Sequence, residues 1–241
     1  MRVAVLSDIH SNHDALAAVL ADVKREGVDQ IWCLGDVVGY GAEPDLVVDV
    51  MRGLNAVTVA GNHDWAACGK VTTRNFNRAA AAAADWTGKT MRPENLEWLA
   101  ALPLVERRDG ALLVHATPSA PEEWHYCMMV EDAWTEMESY PESVCLIGHS
   151  HYPGAFERHD DDIRYTRAEE LVLREGRQYL VNVGSVGQPR DMDPRAAYML
   201  FDLETRRLRH VRVVYDVRAA QEKILAAGLP HFLAARLAAG D

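Results

Sequence analysis

The sequence has no long apolar run: its hydrophobic residues, 49% of the chain, come in short bursts broken by charge. A membrane-spanning helix needs about 18 to 20 consecutive apolar residues, so none is expected. The opening MRVAVLSD reaches Asp8 before an apolar core of ~7 to 15 residues can form, so no export signal is expected either. Cysteine is scarce. Cys33, Cys68, Cys127 and Cys145 stand far apart with no C-x-x-C pair, which predicts reduced, mostly buried thiols in a cytoplasmic protein. A basic surplus is also missing: 25 Lys and Arg face 36 Asp and Glu, a net charge of −11. That balance opposes non-specific binding to a nucleic-acid backbone. No stretch looks like a linker and no internal repeat is present, so the 241 residues suffice for one large domain or two small ones.

What is present is a series of short β-branched runs that read as strands: 3–7, 30–35, 56–61, 111–116, 143–148, 178–183, 197–202 and 208–215. Between the first two, HDALAAVLADVKREG carries Leu16, Val19, Leu20 and Val23 at helical spacing, with Gly27 as its stop. That makes a βαβ unit. PDLVVDVMRG predicts a second helix, and residues 75–86 and 93–101 predict a helical insertion spanning about 65–108. The last two strands are joined by ETRR without a helix, so they are expected to pair antiparallel in a mixed sheet. Beyond Tyr215, two amphipathic helical pieces broken at Gly228 and Pro230 occupy about 216–240, packing on the domain or on a second subunit. Alternation of strand and helix makes the chain α/β, read as a single domain over 1–241.

Each of the first five strands is followed by Asp, Asn or His, in SDIH, GD, GNHD, HAT and GHSH. Loops at the carboxyl ends of strands in open α/β sheets converge on ligands, so these five are expected at one rim. Asp8 and His10 are one residue apart, as are His149 and His151; in extended backbone each pair points to one side. Asp36 offers two carboxylate oxygens able to bridge two ions, Asn62 an amide oxygen and His115 a ring nitrogen. Oxygen and nitrogen donors without thiolate suit Mn²⁺, Fe, Zn²⁺, Co²⁺ or Ni²⁺. Two such ions ~3.5 to 4 Å apart are a common arrangement for hydrolysing phosphate esters. Any one motif alone is more often a turn, a solvated loop or a satisfied core histidine. Five of them, each just past a strand, point to a metal site.

D-x-H at Asp8/His10, GD at Asp36, GNHD at Asn62/His63/Asp64, the lone His115 and GH-x-H at His149/His151 follow one another in a familiar order. In this the sequence resembles the calcineurin-like metallophosphoesterases, from Met1 to about Tyr215. GDVVGYG, NVGSVGQPRDMDPRAAY and the closing AGLP are similar to a bacterial and archaeal branch of small phosphodiesterases. The resemblance implies a four-layer α/β/β/α sandwich of two mixed β-sheets flanked by helices, rather than a doubly wound sheet. It also implies two divalent metal ions, manganese first, with Fe, Zn, Ni or Co as substitutes. Asp8, His10, Asp36 and His151 would hold one, and Asp36, Asn62, His115 and His149 the other, with Asp36 bridging. His63 would sit near the leaving oxygen and Asp64 would orient its ring. The implied reaction is in-line attack by a metal-bridging hydroxide, with protonated His63 donating to the departing alkoxide. One departure bears on substrate. Phosphoprotein phosphatases and symmetrical dinucleoside tetraphosphatases carry an Asp-Arg pair soon after the GD aspartate, where this chain has Gly39 and Tyr40.

Four further residues are candidates for substrate contact. Arg190 follows a Gly-rich turn and would grip a phosphate, or else pair with Asp191 or Asp193 at the surface. Asn12 and His13 would line the entrance, or else cap a helix. Tyr40 would stack on a nucleobase, or else pack in its loop. Residues 65–108 hold seven Lys/Arg against four Asp/Glu and suggest an ordinary solvated helical face, or else a basic lid, whereas 119–143 hold seven Asp/Glu and no Lys/Arg. The expected substrate is therefore a small phosphodiester or phosphomonoester, nucleotides included. A nuclease, a phosphoprotein or dinucleoside polyphosphate phosphatase, and a non-catalytic scaffold of the same fold are the alternatives. Against the scaffold stands His63, which is not needed merely to hold metal.

Overall fold

The computed structural model describes residues 1–241. Twelve strands form two six-stranded sheets. The first runs, side by side, β3 (Val57–Thr58), β2 (Gln30–Cys33), β1 (Arg2–Leu6), β11 (Ala196–Asp202), β12 (Arg207–Val213) and β9 (Glu170–Val172). The second runs β4 (Val105–Arg108), β5 (Ala111–Val114), β6 (Val144–Ile147), β10 (Gln178–Asn182), β7 (Gly154–His159) and β8 (Asp162–Thr166). Each sheet contains a parallel trio, β1–β2–β3 in one and β5–β6–β10 in the other, completed by antiparallel neighbours. Both sheets are thus mixed, and β11 and β12 pair antiparallel over seven residues.

Period-two alternation in the apolar strands explains the layers. Val3 and Val5 of β1 face the second sheet and join Trp32, Leu113, Leu146, Tyr179, Val181 and Phe201 in a core between the sheets. Ala4 and Leu6 face the other way, under α1 (His13–Glu26), α2 (Pro44–Gly53), α7 (Val217–Ala226) and α8 (His231–Ala239). On the far side of the second sheet, Val114, Cys145, Ile147 and Leu180 pack against α6 (Val130–Met137). Strands buried on both faces read as continuous hydrophobic runs, and all eight expected strands are present, although β12 has only one buried residue. The four layers of the α/β/β/α sandwich follow.

Four strands and two helices escaped the sequence reading. β4 (VERR), β8 (DIRYT) and β9 (ELV) lie at or next to sheet edges and carry charge, a common guard against edge pairing. β7 (GAFERH) follows directly on the GHSH loop. α3 (Asn62–Ala67) begins on the GNHD motif itself, and α6 is built from VEDAWTEM, in which acidic residues mask the apolar stripe. The insertion contains α4 (Arg78–Thr90) and α5 (Pro93–Ala101), so the first of its helices runs four residues past the expected Trp86. No helix is long and apolar enough to cross a membrane, and all four cysteines are free thiols.

Candidate metal centre and active site

The carboxyl ends of the two parallel trios meet at one rim. Asp8 and His10 follow β1, Asp36 follows β2 and Asn62 opens α3 just after β3, all from the first sheet. His115 follows β5, and His149 and His151 follow β6, all from the second. The side chains sort into two groups, Asp8–His10–His151 and Asp36–His115–His149, each with donor atoms within 4.8 Å of one another. Each group draws on both sheets. One atom lies between them: Asp36 Oδ2 is 3.6 Å from His10 Nε2 and 3.3 Å from His115 Nε2. Asp36 Oδ1 is otherwise engaged, accepting the His63 backbone N–H at 2.8 Å. A single oxygen, rather than both, therefore faces the two groups. Asp8 divides its labour in the same way, with Oδ2 accepting from His149 N at 3.0 Å and Oδ1 lying 3.1 Å from His151 Nε2.

Hydrogen bonds settle which nitrogen of each ring is free. A carbonyl can only accept, so the ring nitrogen facing it carries the proton and the other presents a lone pair. Nδ1 of His10 faces Val38 O at 3.0 Å, Nδ1 of His115 faces Leu34 O at 2.7 Å, and Nδ1 of His151 faces Gln188 O at 2.5 Å. His149 is reversed, with Nε2 facing Trp124 O at 2.9 Å. Outer hydrogen bonds of this kind orient metal-binding histidines. His10 Nε2 and His151 Nε2 then lie 3.2 Å apart with their protons committed elsewhere, two lone pairs directed at a shared space. Asp8 Oδ1, Asn62 Oδ1 and His115 Nε2 are buried without a hydrogen-bond partner. Buried acceptors without donors are costly, and a divalent cation in each group would satisfy Asp8 Oδ1 and His115 Nε2. The residues fit a pair of hard or borderline cations.

Burial opposes ionisation of Asp36, yet the facing His115, His63 and His10 hold it well below the usual carboxylate range. Asp8 is likewise buried and likewise held low, chiefly by the facing His151 and His10, whose Nε2 lies 3.7 Å from Oδ1. Burial would discharge His115, but the two carboxylates and the Leu34 carbonyl raise it to about 9. Burial, reinforced by the charges of neighbouring groups, lowers His149 to about 3 and His151 to about 4. His149 and His151 are therefore neutral near pH 7, whereas His115 carries a proton that a cation would have to displace, since ligation requires the neutral ring.

The backbone here is unusual. Asp8, His10, Asp36, His149 and His151 all have positive φ, between 50° and 65°. The sequence reading placed each D-x-H and H-S-H pair in extended backbone; the structure instead coils both ligands of each pair into the left-handed region. Such conformations cost of order 1–3 kcal/mol each and concentrate at functional sites.

His63 lies at the base of a cavity of about 600 Å³ lined by Asp36, Tyr40, Asn62, Phe76, Trp124, Tyr126, His149, His151 and Arg190, among others. Its ring is packed between Tyr40 (4.3 Å between centroids) and Phe76 (4.9 Å), with its Nδ1 buried and unpartnered. Burial pushes it well below the ordinary histidine range, against the pull of Asp36. Asp64 does not orient it. Both Asp64 oxygens are spent on backbone, Oδ1 on Val38 N at 3.0 Å and Oδ2 on Gly61 N at 2.9 Å, so it caps α3 and pins the GD loop.

The remaining candidates divide. Arg190 reaches the cavity and pairs with neither Asp191 nor Asp193, which bind Arg167, Arg195 and Arg212 instead. Its Nη2 bonds Tyr40 Oη at 3.3 Å and Gln188 Oε1 at 3.0 Å, and its buried Nε has no partner. Tyr40 is 6% exposed, its ring 4.5 Å from His10 and 4.3 Å from His63, so it packs on histidines and has no open face for a base. Asn12 caps α1 through Ala15 N at 3.1 Å and donates to Gly187 O at 2.9 Å. His13 is the first residue of that helix and does not line the cavity. Capping accounts for Asn12 without a substrate. The insertion contributes Val71, Thr72, Asn75, Phe76, Asn77 and Ala80 to the wall; its basic surplus lies elsewhere, with Arg92 on Asp45 and Asp49.

Sequence reasoning missed the carbonyls of Leu34, Val38, Trp124 and Gln188, since a backbone acceptor leaves no mark on residue type. It also missed the aromatic wall. Tyr126, 54% exposed, stacks on His149 at 4.2 Å and 19°, and the Trp124 ring stands edge-on to Trp65 at 5.5 Å.

Two mixed sheets enclosed by helices, with a rim of Asp, Asn and His at the carboxyl ends of both parallel trios, define a class that comparison with known proteins identifies. Residues 1–206 match the calcineurin-like phosphoesterase superfamily domain, and the chain belongs to that family. An uncharacterized protein of Methanocaldococcus jannaschii is 42% identical over 242 residues, covering 99% of this chain and 98% of that one. The crystal structure of a metallophosphoesterase from Sphaerobacter thermophilus superposes with a TM-score of 0.88 at 37% identity, covering 100% and 99% of the two chains. A symmetrical bis(5'-nucleosyl)-tetraphosphatase of Nitrosococcus oceani is 30% identical over 135 residues, 52% of this chain and 46% of that protein.

Proposed function

We propose that the protein is a dinuclear-metal phosphoesterase hydrolysing small phosphodiesters or phosphomonoesters, with Mn²⁺ as the first metal to test and Fe, Zn²⁺, Ni²⁺ or Co²⁺ as substitutes. The observation that carries this reading is Asp36 Oδ2, set between two buried donor groups whose free ring nitrogens are fixed by backbone carbonyls. Asp8, His10, His151 and Asp36 would hold one ion, and Asp36, Asn62, His115 and His149 the other. Bound there, two divalent cations supply Lewis acidity toward phosphoryl oxygens and lower the pKa of a water nucleophile.

The chain's own groups do the rest. Arg190, with a buried unpartnered Nε at the cavity wall, grips the phosphate in place of the arginine that the GDVVGYG loop lacks. His63, in its aromatic cage, would take a proton from solvent as the anionic phosphoester binds and donate it to the leaving oxygen. Proton transfer of this kind contributes typically ~10² to 10⁴-fold. Glu122 and Glu123 stand at the cavity and repel a long polyanion, which favours a small phosphoester over a nucleic acid. A nucleotide is the second reading. The exposed face of Tyr126 and the rings of Phe76 and Trp124 line the same cavity, and aromatic faces stack bases.

The test is hydrolysis of bis-p-nitrophenyl phosphate and p-nitrophenyl phosphate by metal-stripped protein with each metal restored, beside His63→Ala and Asp36→Asn. Turnover restored by metal and lost in both variants supports the reading. Absence of turnover with every metal, despite two bound ions per chain, points instead to a binding role.

A further inference from the structure

The C-terminal helix α8 lies beyond residues 1–206, which match the family domain, yet it sends one side chain toward the active site. Arg236 Nη1 donates to Gln188 Oε1 at 3.1 Å, the same oxygen that accepts Arg190 Nη2 at 3.0 Å. Two guanidinium groups thus share one neutral acceptor. Carboxylates are close in sequence, but Asp191 and Asp193 turn to Arg167, Arg195 and Arg212. Gln188 itself is fixed. It is 2% exposed, its carbonyl holds His151 Nδ1, and its N–H donates to Ser185 Oγ at 2.8 Å, which donates to the Asp8 carbonyl at 2.8 Å. The like charges are felt. Burial and the facing Arg190 push Arg236 below the ordinary arginine range.

A lone arginine in a protein of net charge −11 would ordinarily collapse onto a carboxylate. Here a second cation, outside the cavity lining and itself donating through Nε to Asp241 O, shares the Gln188 oxygen, which fixes the angle of the planar fork. Fixed direction matters for a guanidinium, because its bidentate grip on phosphate depends on a planar donor pair.

We infer that Arg236 is a positioning residue for phosphate binding, acting on Arg190 through Gln188, so that α8 completes the active site from outside the family domain. This rests on Arg190 being the phosphate grip proposed above. Arg236 does not line the cavity and touches no substrate; it keeps Arg190 forward and uncompensated.

The experiment measures binding of inorganic phosphate to the Mn²⁺-loaded protein by calorimetry, together with KM and kcat for bis-p-nitrophenyl phosphate. The proteins compared are wild type, R190Q, R236Q, R236K and the R190Q/R236Q double variant, with thermal melting to check folding. R236Q is expected to weaken phosphate binding about tenfold and to raise KM, leaving kcat within about twofold, as loss of a positioned charge does. R236K should recover most of the affinity because the charge remains. The double variant should bind no more weakly than R190Q, since Arg236 acts only through Arg190. Wild-type affinity in R236Q beside a weakened R190Q overturns the inference and leaves the phosphate-grip reading standing. So does additivity in the double variant, or R236K as weak as R236Q. Wild-type affinity in R190Q overturns the reading on which the inference rests.

Discussion

Gly39→Ala is the most searching single change. Gly39 has φ +94°, and a Cβ built there would lie 2.6 Å from His63 Nδ1 and 2.9 Å from its Cγ, inside the closest approach of real atoms. Two separable effects follow. A non-glycine residue forced to positive φ costs about 1–2 kcal/mol, and in a chain of this size each kcal/mol lowers Tm by about 2–4 °C. The expected drop is therefore about 2–8 °C. The second effect is catalytic. Tyr40 and Phe76 close the His63 ring in on either side, so the ring can relieve the clash only by moving relative to the cavity. If His63 donates the leaving-group proton, kcat should fall about 10- to 100-fold, part of the ~10² to 10⁴-fold that such a group contributes. Metal content should not change, because His63 is in neither donor group. The assays are thermal melting, bound metal per chain, and kcat for bis-p-nitrophenyl phosphate, with His63→Ala as reference. Wild-type kcat in Gly39→Ala beside a strong loss in His63→Ala would show that ring placement is irrelevant. Wild-type kcat in His63→Ala would remove His63 from the mechanism altogether.

Three other outcomes are expected. Asp8→Asn should leave one tightly bound ion per chain instead of two, and Mn²⁺ at a hundredfold excess over its Kd should stabilise the wild type by about 2.7 kcal/mol per ion; equal stoichiometry in both proteins would refute the pairing of Asp8 with His10 and His151. Trp124→Gly keeps the left-handed backbone at that position (φ 57°) while removing the ring that packs on Trp65. With the carbonyl partner of His149 loosened, affinity for one ion should fall about 10- to 100-fold, and two unchanged binding steps in calorimetry would count against it. His210 is lowered to about 4, by burial first and then by Arg212. Its folded value lies below the unfolded 6.5, so its contribution is complete above pH 6.5 and is lost as pH falls toward 4. Between pH 7 and pH 5 this amounts to about 2 kcal/mol. His210→Gln should flatten that part of the urea-denaturation profile; an unchanged slope would mean that His210 is not the group responsible.

The sequence by itself determined the inner strands of both sheets, because segments buried on two faces are written as unbroken apolar runs. It also marked the candidate donor residues, because Asp, Asn and His are placed just past strand ends, where a turn alone would not need them. The helix ends were legible too: Gly27 closes α1 in the left-handed conformation, and Pro44 and Pro93 open α2 and α5. Only the tertiary structure decided what lies between segments far apart in the chain. The division of Asp36 between His63 N–H and the two donor groups, and the spending of Asp64 on Val38 and Gly61, depend on contacts that residue types leave open. The same holds for the carbonyls that fix four histidine rings, since every residue carries a carbonyl. Arg190 shows the difference most plainly. Its sequence neighbours Asp191 and Asp193 suggested a surface ion pair, but the fold directs those carboxylates to Arg167, Arg195 and Arg212 and leaves Arg190 at the cavity, sharing the Gln188 oxygen with Arg236. Charge balance between distant segments is a property of packing, and only the folded chain specifies which cation is left unpaired.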